Sequence, residues 1–273
     1  MTMTQASQIA LLREQGFVVV RGFADAATVS ALRDISLRHL EQAIEPIEYE
    51  ADLRYPGAPA SRQAAGGHTA RRLLDAYGRD PLFAQWAASP RIAQWLAAYF
   101  GLARPGLARP GLARPGLAPV LSTVHHNCVM TKHPAYGSLT GWHQDIRYWS
   151  FSAPELVSCW LALGRETAEN GGLFFLPGSH AAGFGSEQFD QSKFFLPDPP
   201  ANRDWIARAV CPTLEPGDAV FFHCLTLHAA QRNASNAVKL SLVHTYYPGS
   251  VRPLPGSRSA SRPGVPLAPA QGA

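Results

Sequence analysis

A histidine and an aspartate stand two residues apart in the stretch Gly141-Trp142-His143-Gln144-Asp145-Ile146-Arg147-Tyr148-Trp149. In an extended strand, residues two apart leave the same face. An imidazole nitrogen of His143 and a carboxylate oxygen of Asp145 then converge on one point. A second histidine from elsewhere completes the facial set with which non-heme Fe(II) activates oxygen, three positions staying open. His-x-Asp alone is short and common, so the rest of the chain must supply the third ligand. His223, His228 and His244 are the candidates. His223 ends an apolar run. His228 follows Leu225-Thr226-Leu227 and precedes a polar run, which places it at a strand end beside a loop, where functional residues concentrate. Lys239 and Ser241 again share a strand face, and a cation beside a hydroxyl suits the distal carboxylate of a dicarboxylate.

The elements around these residues divide into two parts. The first is mostly helical, about residues 1–100. A short helix over 4–15 ends at Gly16, and Phe17 to Arg21 reads as a strand. Asp25 caps a helix running to about Gln42. Residues 45–68 read as a loop that covers a site, and His68 with Arg71-Arg72 as a solvated face. Short helices are expected over 69–77 and 81–87, and Ser89-Pro90 starts another that ends near Phe100. A five-residue repeat, Gly-Leu-Ala-Arg-Pro, then occupies residues 101–119. Proline at every fifth position forbids a continuous helix, so this is a low-complexity loop.

From Val120 the pattern changes to strands: 120–132, the His143/Asp145 stretch, 157–163, 172–176, 219–223 and 238–247. Asn170-Gly171 and Pro216-Gly217-Asp218 are turn signals. Six or more strands with the helices upstream imply a sandwich or jelly roll. Residues 248–273, rich in Pro, Gly, Ser and Arg, read as a disordered tail.

Bulk properties narrow the function classes. The chain has 273 residues, enough for one large core. Its net charge of +4 lies largely in the repeat and the tail, which argues against a nucleic-acid face. The four cysteines form no Cys-x-x-Cys pair and read as buried free thiols. No basic-then-apolar leader and no membrane-length apolar run appears, so a cytoplasmic chain without a membrane partner is expected. Oligomeric state is not legible.

In combination and order, several motifs resemble the phytanoyl-CoA dioxygenase family of Fe(II)/2-oxoglutarate oxygenases. They are Trp142-His143-Gln144-Asp145 with Tyr148, Trp160-Leu161-Ala162-Leu163, Glu169-Asn170-Gly171-Gly172, Pro177-Gly178-Ser179-His180, Gly217-Asp218, and His228 with Asn233 and Ser235. The resemblance spans about residues 8–247. It implies a single oxygenase domain over 1–247, mainly β with flanking helices, whose core over about 120–247 is a double-stranded β-helix (a cupin-like jelly roll). It implies Fe(II) held by His143, Asp145 and His228, with 2-oxoglutarate and O2 as co-substrates. Lys239 stands where the family usually has arginine, and Ser241, Trp160 and Asn127 resemble positions near the cosubstrate. A lysine keeps the charge and loses the planar fork of arginine. The implied reaction is decarboxylation of 2-oxoglutarate to succinate and CO2, coupled to oxidation of an unactivated C–H bond of a small molecule. Asp145 points to hydroxylation over halogenation, since halogenating relatives lack the carboxylate. The alternatives are a cupin-like metal enzyme not using 2-oxoglutarate and a metal-free jelly-roll binding module.

Overall fold

The computed structural model describes residues 3–102 and 118–267. The first part runs through α1 (Gln5–Gln15), β1 (Phe17–Val20), α2 (Ala26–Glu41), β2 (Ile47–Tyr49), α3 (Glu50–Leu53) and β3 (Ala70–Leu74). Helices α4 (Ala76–Arg79), α5 (Pro81–Ala87) and α6 (Pro90–Tyr99) close it. The second part contains β4 (Pro119–Leu121), β5 (Cys128–Lys132), β6 (Thr140–His143), β7 (Val157–Ala162) and β8 (Leu173–Phe175). After α7 (Pro200–Ile206) come β9 (Ala219–His223), β10 (His228–Ala230), β11 (Lys239–Pro248) and β12 (Val265–Pro266).

These strands form two antiparallel sheets. The larger has the order β1-β9-β7-β11-β5-β3-β2, with β4 and β12 attached beside β11; the smaller is β6-β10-β8. This is the expected mainly β jelly roll with flanking helices. Strand β9 shows how its layers arise. Its residues alternate between faces. Phe221 points to the helices, where Trp95 of α6 stacks on it with centroids 3.8 Å apart and Phe23 meets it edge-on at 5.2 Å. Val220 and Phe222 point inward and pack with Phe17 and Phe175 between the sheets. Truncating so central a ring as Phe221 to alanine costs about 3–5 kcal/mol.

Gly16 ties the helical layer to the site. It ends α1 with φ at 83°, and a Cβ there would lie 2.5 Å from Thr226 Oγ1. The Gly16 carbonyl accepts from the Thr226 hydroxyl at 2.7 Å and the His223 backbone N–H at 2.8 Å. The close approach anchors the turn that leads into β10.

Four expectations need correction. Residues 70–74 form a strand, not a helix: pairing with β2 and β5 overrides the helical preference of Ala, Arg and Leu. The long strand expected over 120–132 breaks at 122–127, where His126 takes φ 40°. Arg71 and Arg72 do not form a solvated face. Arg71 is buried with Glu50, and Arg72 pairs with Glu48 at 2.5 Å. The tail is folded through Leu267: β12 pairs with β4, and Val251 and Leu267 are buried. The apolar residues scattered in that Pro- and Gly-rich stretch give β4 an edge partner, and Gly264 passes so close to Tyr247 that a Cβ would sit 2.3 Å from its hydroxyl. Of the Gly-Leu-Ala-Arg-Pro loop, residues 103–117 lie outside the described residues, as do 268–273 of the tail. Among the described residues no helix is long and apolar enough to cross a membrane.

Candidate metal centre

Strand β6 ends at His143, Gln144 stays extended, and Asp145 opens a 3-10 turn. The two side chains therefore share a face although the strand does not continue through Asp145. Strand β10 pairs with β6 in a register that sets His228 directly opposite His143. The two imidazole rings lie 4.2 Å apart. His143 Nε2 is 3.8 Å and His228 Nε2 is 3.6 Å from Asp145 Oδ1. Ligand atoms held ~2.1 Å from one metal sit roughly 3–4 Å from each other, so this spacing accommodates an ion. Among the described residues, these three form the one group of potential metal ligands whose atoms lie within 4.8 Å of one another.

The backbone fixes which nitrogen faces the centre. His143 Nδ1 lies 2.9 Å from the Gly141 carbonyl, and His228 Nδ1 lies 3.0 Å from the Thr226 carbonyl. A carbonyl only accepts, so each Nδ1 carries the proton and each Nε2 presents a lone pair. Burial lowers the His228 pKa to about 4 and holds that of His143 well below its ordinary value, the neighbouring His228 and Arg147 adding to the effect. Both rings are neutral, as ligation requires. Burial pushes the Asp145 carboxyl up to about 8, with Arg147 and Arg72 pulling it partly back. A cation bound at this centre inverts that preference and favours the carboxylate.

The other candidate histidines go elsewhere. His223 Nδ1 accepts from the Leu225 N–H at 3.2 Å, and its ring lies against His180. His244 is fully buried, pairs with Cys159 across β7, and neither of its ring nitrogens has a partner. Phe222 and Phe175 pack beside His228 at centroid distances of 5.1 and 6.1 Å, and Phe194 beside His143 at 6.0 Å. Phe175 and Phe222 are buried and wall the inner side of the centre, while Phe194 is half-buried.

A cavity of about 610 Å³ opens on these ligands. Trp160, Lys132 and Lys239 line its inner wall, and Arg258 and Arg262 from the folded tail line its rim. Lys239 and Ser241 do share a face, as the spacing required, but both turn to an internal carboxylate. Glu166 accepts from Lys239 Nζ at 3.1 Å, from the Ser241 hydroxyl at 2.6 Å and from the Trp160 indole N–H at 3.1 Å. Asn127 borders the cavity with its amide fully engaged. It donates to Asp75 at 3.0 Å and to the Thr123 carbonyl at 3.2 Å, and accepts from the Tyr77 N–H at 2.7 Å.

Two residues of this site, Glu166 and His126, escaped the sequence reading, whereas Lys132, expected to face the pocket, lines it. Glu166 lies in a polar stretch of sequence and is turned inward by a β-bridge to Leu214. His126 Nδ1 comes within 3.2 Å of Asp145 Oδ2, too misaligned for a hydrogen bond, since that oxygen has no hydrogen-bond partner. Lys132, the register partner of Lys239, donates to the Ser138 carbonyl at 2.7 Å, and burial pushes its pKa down to about 7.

Comparison with known proteins bears on the family and the fold. The family model described as phytanoyl-CoA dioxygenase matches residues 12–241. Human peroxisomal phytanoyl-CoA dioxygenase is 23% identical over 240 residues, which are 84% of this chain and 64% of that protein. A probable phytanoyl-CoA dioxygenase of Caenorhabditis elegans is 26% identical over 128 residues, 43% of this chain and 40% of that one. The chain thus spans less than two thirds of the length of these curated relatives. Among solved structures, the epimerase SnoN in complex with Fe3+, alpha ketoglutarate and nogalamycin RO superposes with a TM-score of 0.68 at 23% identity, covering 97% of this chain and 95% of that one. EctD from S. alaskensis with 2-oxoglutarate and 5-hydroxyectoine gives 0.66 at 21% identity, covering 98% and 86%. At such identities these two structures speak for the fold. The family model carries membership: the chain belongs to the phytanoyl-CoA dioxygenase family.

Proposed function

We propose that the chain is an Fe(II)- and 2-oxoglutarate-dependent oxygenase that hydroxylates an unactivated C–H bond of a small molecule. The observation that carries this reading is the convergence of two neutral imidazoles and one carboxylate, each imidazole tautomer set by a backbone carbonyl. Two histidines and a carboxylate on one face are the donor set suited to Fe(II), so the residues fit the ion. Bound iron, with O2 and 2-oxoglutarate, supplies the oxidation of the C–H bond. The chain's part is to position and exclude. His143, Asp145 and His228 hold the ion, and the buried Phe175 and Phe222 close its inner side. The cavity of about 610 Å³ falls in the range of small-molecule sites. Relatives described as phytanoyl-CoA dioxygenases support the oxygenase class, while the neighbour described as an epimerase reflects how one fold serves several outcomes. Asp145 supports hydroxylation, because it fills the ligand position that halogenation leaves to a halide.

The test is succinate formation from 2-oxoglutarate, with iron and O2, in the wild type and in His228→Ala. Iron-dependent succinate that vanishes in the variant is expected. Full turnover in His228→Ala together with its loss in His223→Ala would overturn the assignment of the distal ligand.

A further inference from the structure

Behind the inner wall of the cavity, where Trp160 and Lys239 line it, lies a carboxylate-binding seat, and the chain fills that seat itself. Lys239 and Ser241 on β11 and Trp160 on β7 bring an ammonium, a hydroxyl and an indole N–H to one place. All three donate to Glu166. The Glu166 side chain is 1% exposed, and its backbone is pinned by reciprocal hydrogen bonds with Leu214, both at 2.9 Å. The hydroxyl and the indole N–H are both taken up by Glu166, and the lysine charge is matched.

We propose that Glu166 is a specificity-determining residue, a built-in competitor for the second carboxylate of the cosubstrate. The inference rests on the oxygenase reading above. A 2-oxo acid chelates a metal through its oxo and first carboxylate groups, whatever its tail. A tail ending in a second carboxylate gains at this wall only by displacing Glu166. A tail ending in a methyl group loses nothing there. Glu166 therefore narrows the advantage of 2-oxo diacids over 2-oxo monoacids. Replacing it by glutamine frees the charge of Lys239 for the incoming carboxylate, because a carboxamide does not neutralise an ammonium.

Two measurements test this. The first is anaerobic titration of the Fe(II)-loaded protein with 2-oxoglutarate and with 2-oxopentanoate, followed by the visible metal-to-ligand absorption. The ratio of their affinities is expected to shift toward the diacid by at least about tenfold in Glu166→Gln, with the monoacid little changed. An unchanged ratio, or one shifted toward the monoacid, overturns the proposal. The second measurement needs no metal and covers the case in which Glu166→Gln folds poorly. Acetate should raise the melting temperature of metal-free Glu166→Ala, which has an empty seat, and leave the wild type unchanged. Equal effects on both proteins overturn it. If neither oxo acid gives the absorption with the wild type, the oxygenase reading fails, and the acetate experiment still decides whether Glu166 fills a carboxylate seat.

Discussion

The two ends of the cavity treat buried charge in opposite ways. At the metal end, His143 Nε2, His228 Nε2 and Asp145 Oδ1 aim lone pairs at a shared centre, and among the described residues no donor answers them there. At the far end, Lys239, Ser241 and Trp160 converge just as closely, and Glu166 answers all three. Burying a charge without a partner is costly, so folding normally supplies the partner. The metal end departs from that rule in the way a site for a visiting cation must. The far end obeys it, and its charges hold the fold whether or not a ligand is present. Convergence left unmatched marks a place for an ion from outside, while convergence already matched admits a ligand only in competition with the chain's own group.

The largest effect that would break this comparison concerns the metal ligands. His143→Ala, Asp145→Ala and His228→Ala should each abolish the rise in melting temperature that Fe(II) or a surrogate divalent ion gives the wild type, while the metal-free fold persists. Survival of that rise in all three would place the ion elsewhere. Next comes the matched end. Lys239→Met leaves Glu166 buried without a cation and should destabilise the metal-free protein by about 3–5 kcal/mol, measured by denaturant unfolding. Pairing it with Glu166→Gln should recover most of that loss. A double variant as unstable as the single would deny the coupling.

Lys132 offers a third test, because it is a cation at neither end's centre and pairs with no carboxylate among the described residues. Its folded pKa of about 7 lies below the ordinary 10.5. Between those values the unfolded chain binds the extra proton, so stability rises with pH across that window. Below about 7 the burial penalty is fully present. Lys132→Met should therefore raise the melting temperature by about 3 °C or more near pH 6, and the gain should shrink toward pH 10. A gain independent of pH would mean that packing, not charge, is responsible. The smallest effect is expected at His126. Its contact with Asp145 is close but misaligned, so His126→Phe should weaken metal binding by roughly tenfold at most, the low end of what an orienting partner contributes. A loss as large as that of a ligand variant would make His126 a fourth ligand.

The sequence carried much of this arrangement. Apolar runs bounded by turn signals placed most strands of the second half. The caps Asp25 and Ser89 and the terminator Gly16 placed helix ends, because capping is local chemistry read within a turn. The spacing His143-x-Asp145 implied a shared face, and that survived the end of the strand because Gln144 remains extended. The tail and residues 70–74 were misread for one reason. Their structure comes from partners far along the chain, β4 for the tail and β2 and β5 for β3, and composition does not encode a partner.

What the sequence determined alone is the chemistry on offer: two imidazoles, a carboxylate, a lysine and a serine at strand spacing, in the order of a known family. Only the tertiary structure decided how they are matched. It chose His228 over His223 and His244 through the β6–β10 register, and it folded Glu166 back onto Lys239. The physical reason is that an ion pair or a ligand set is a relation across strands, fixed by register and burial, while sequence spacing reports only which groups leave the same face.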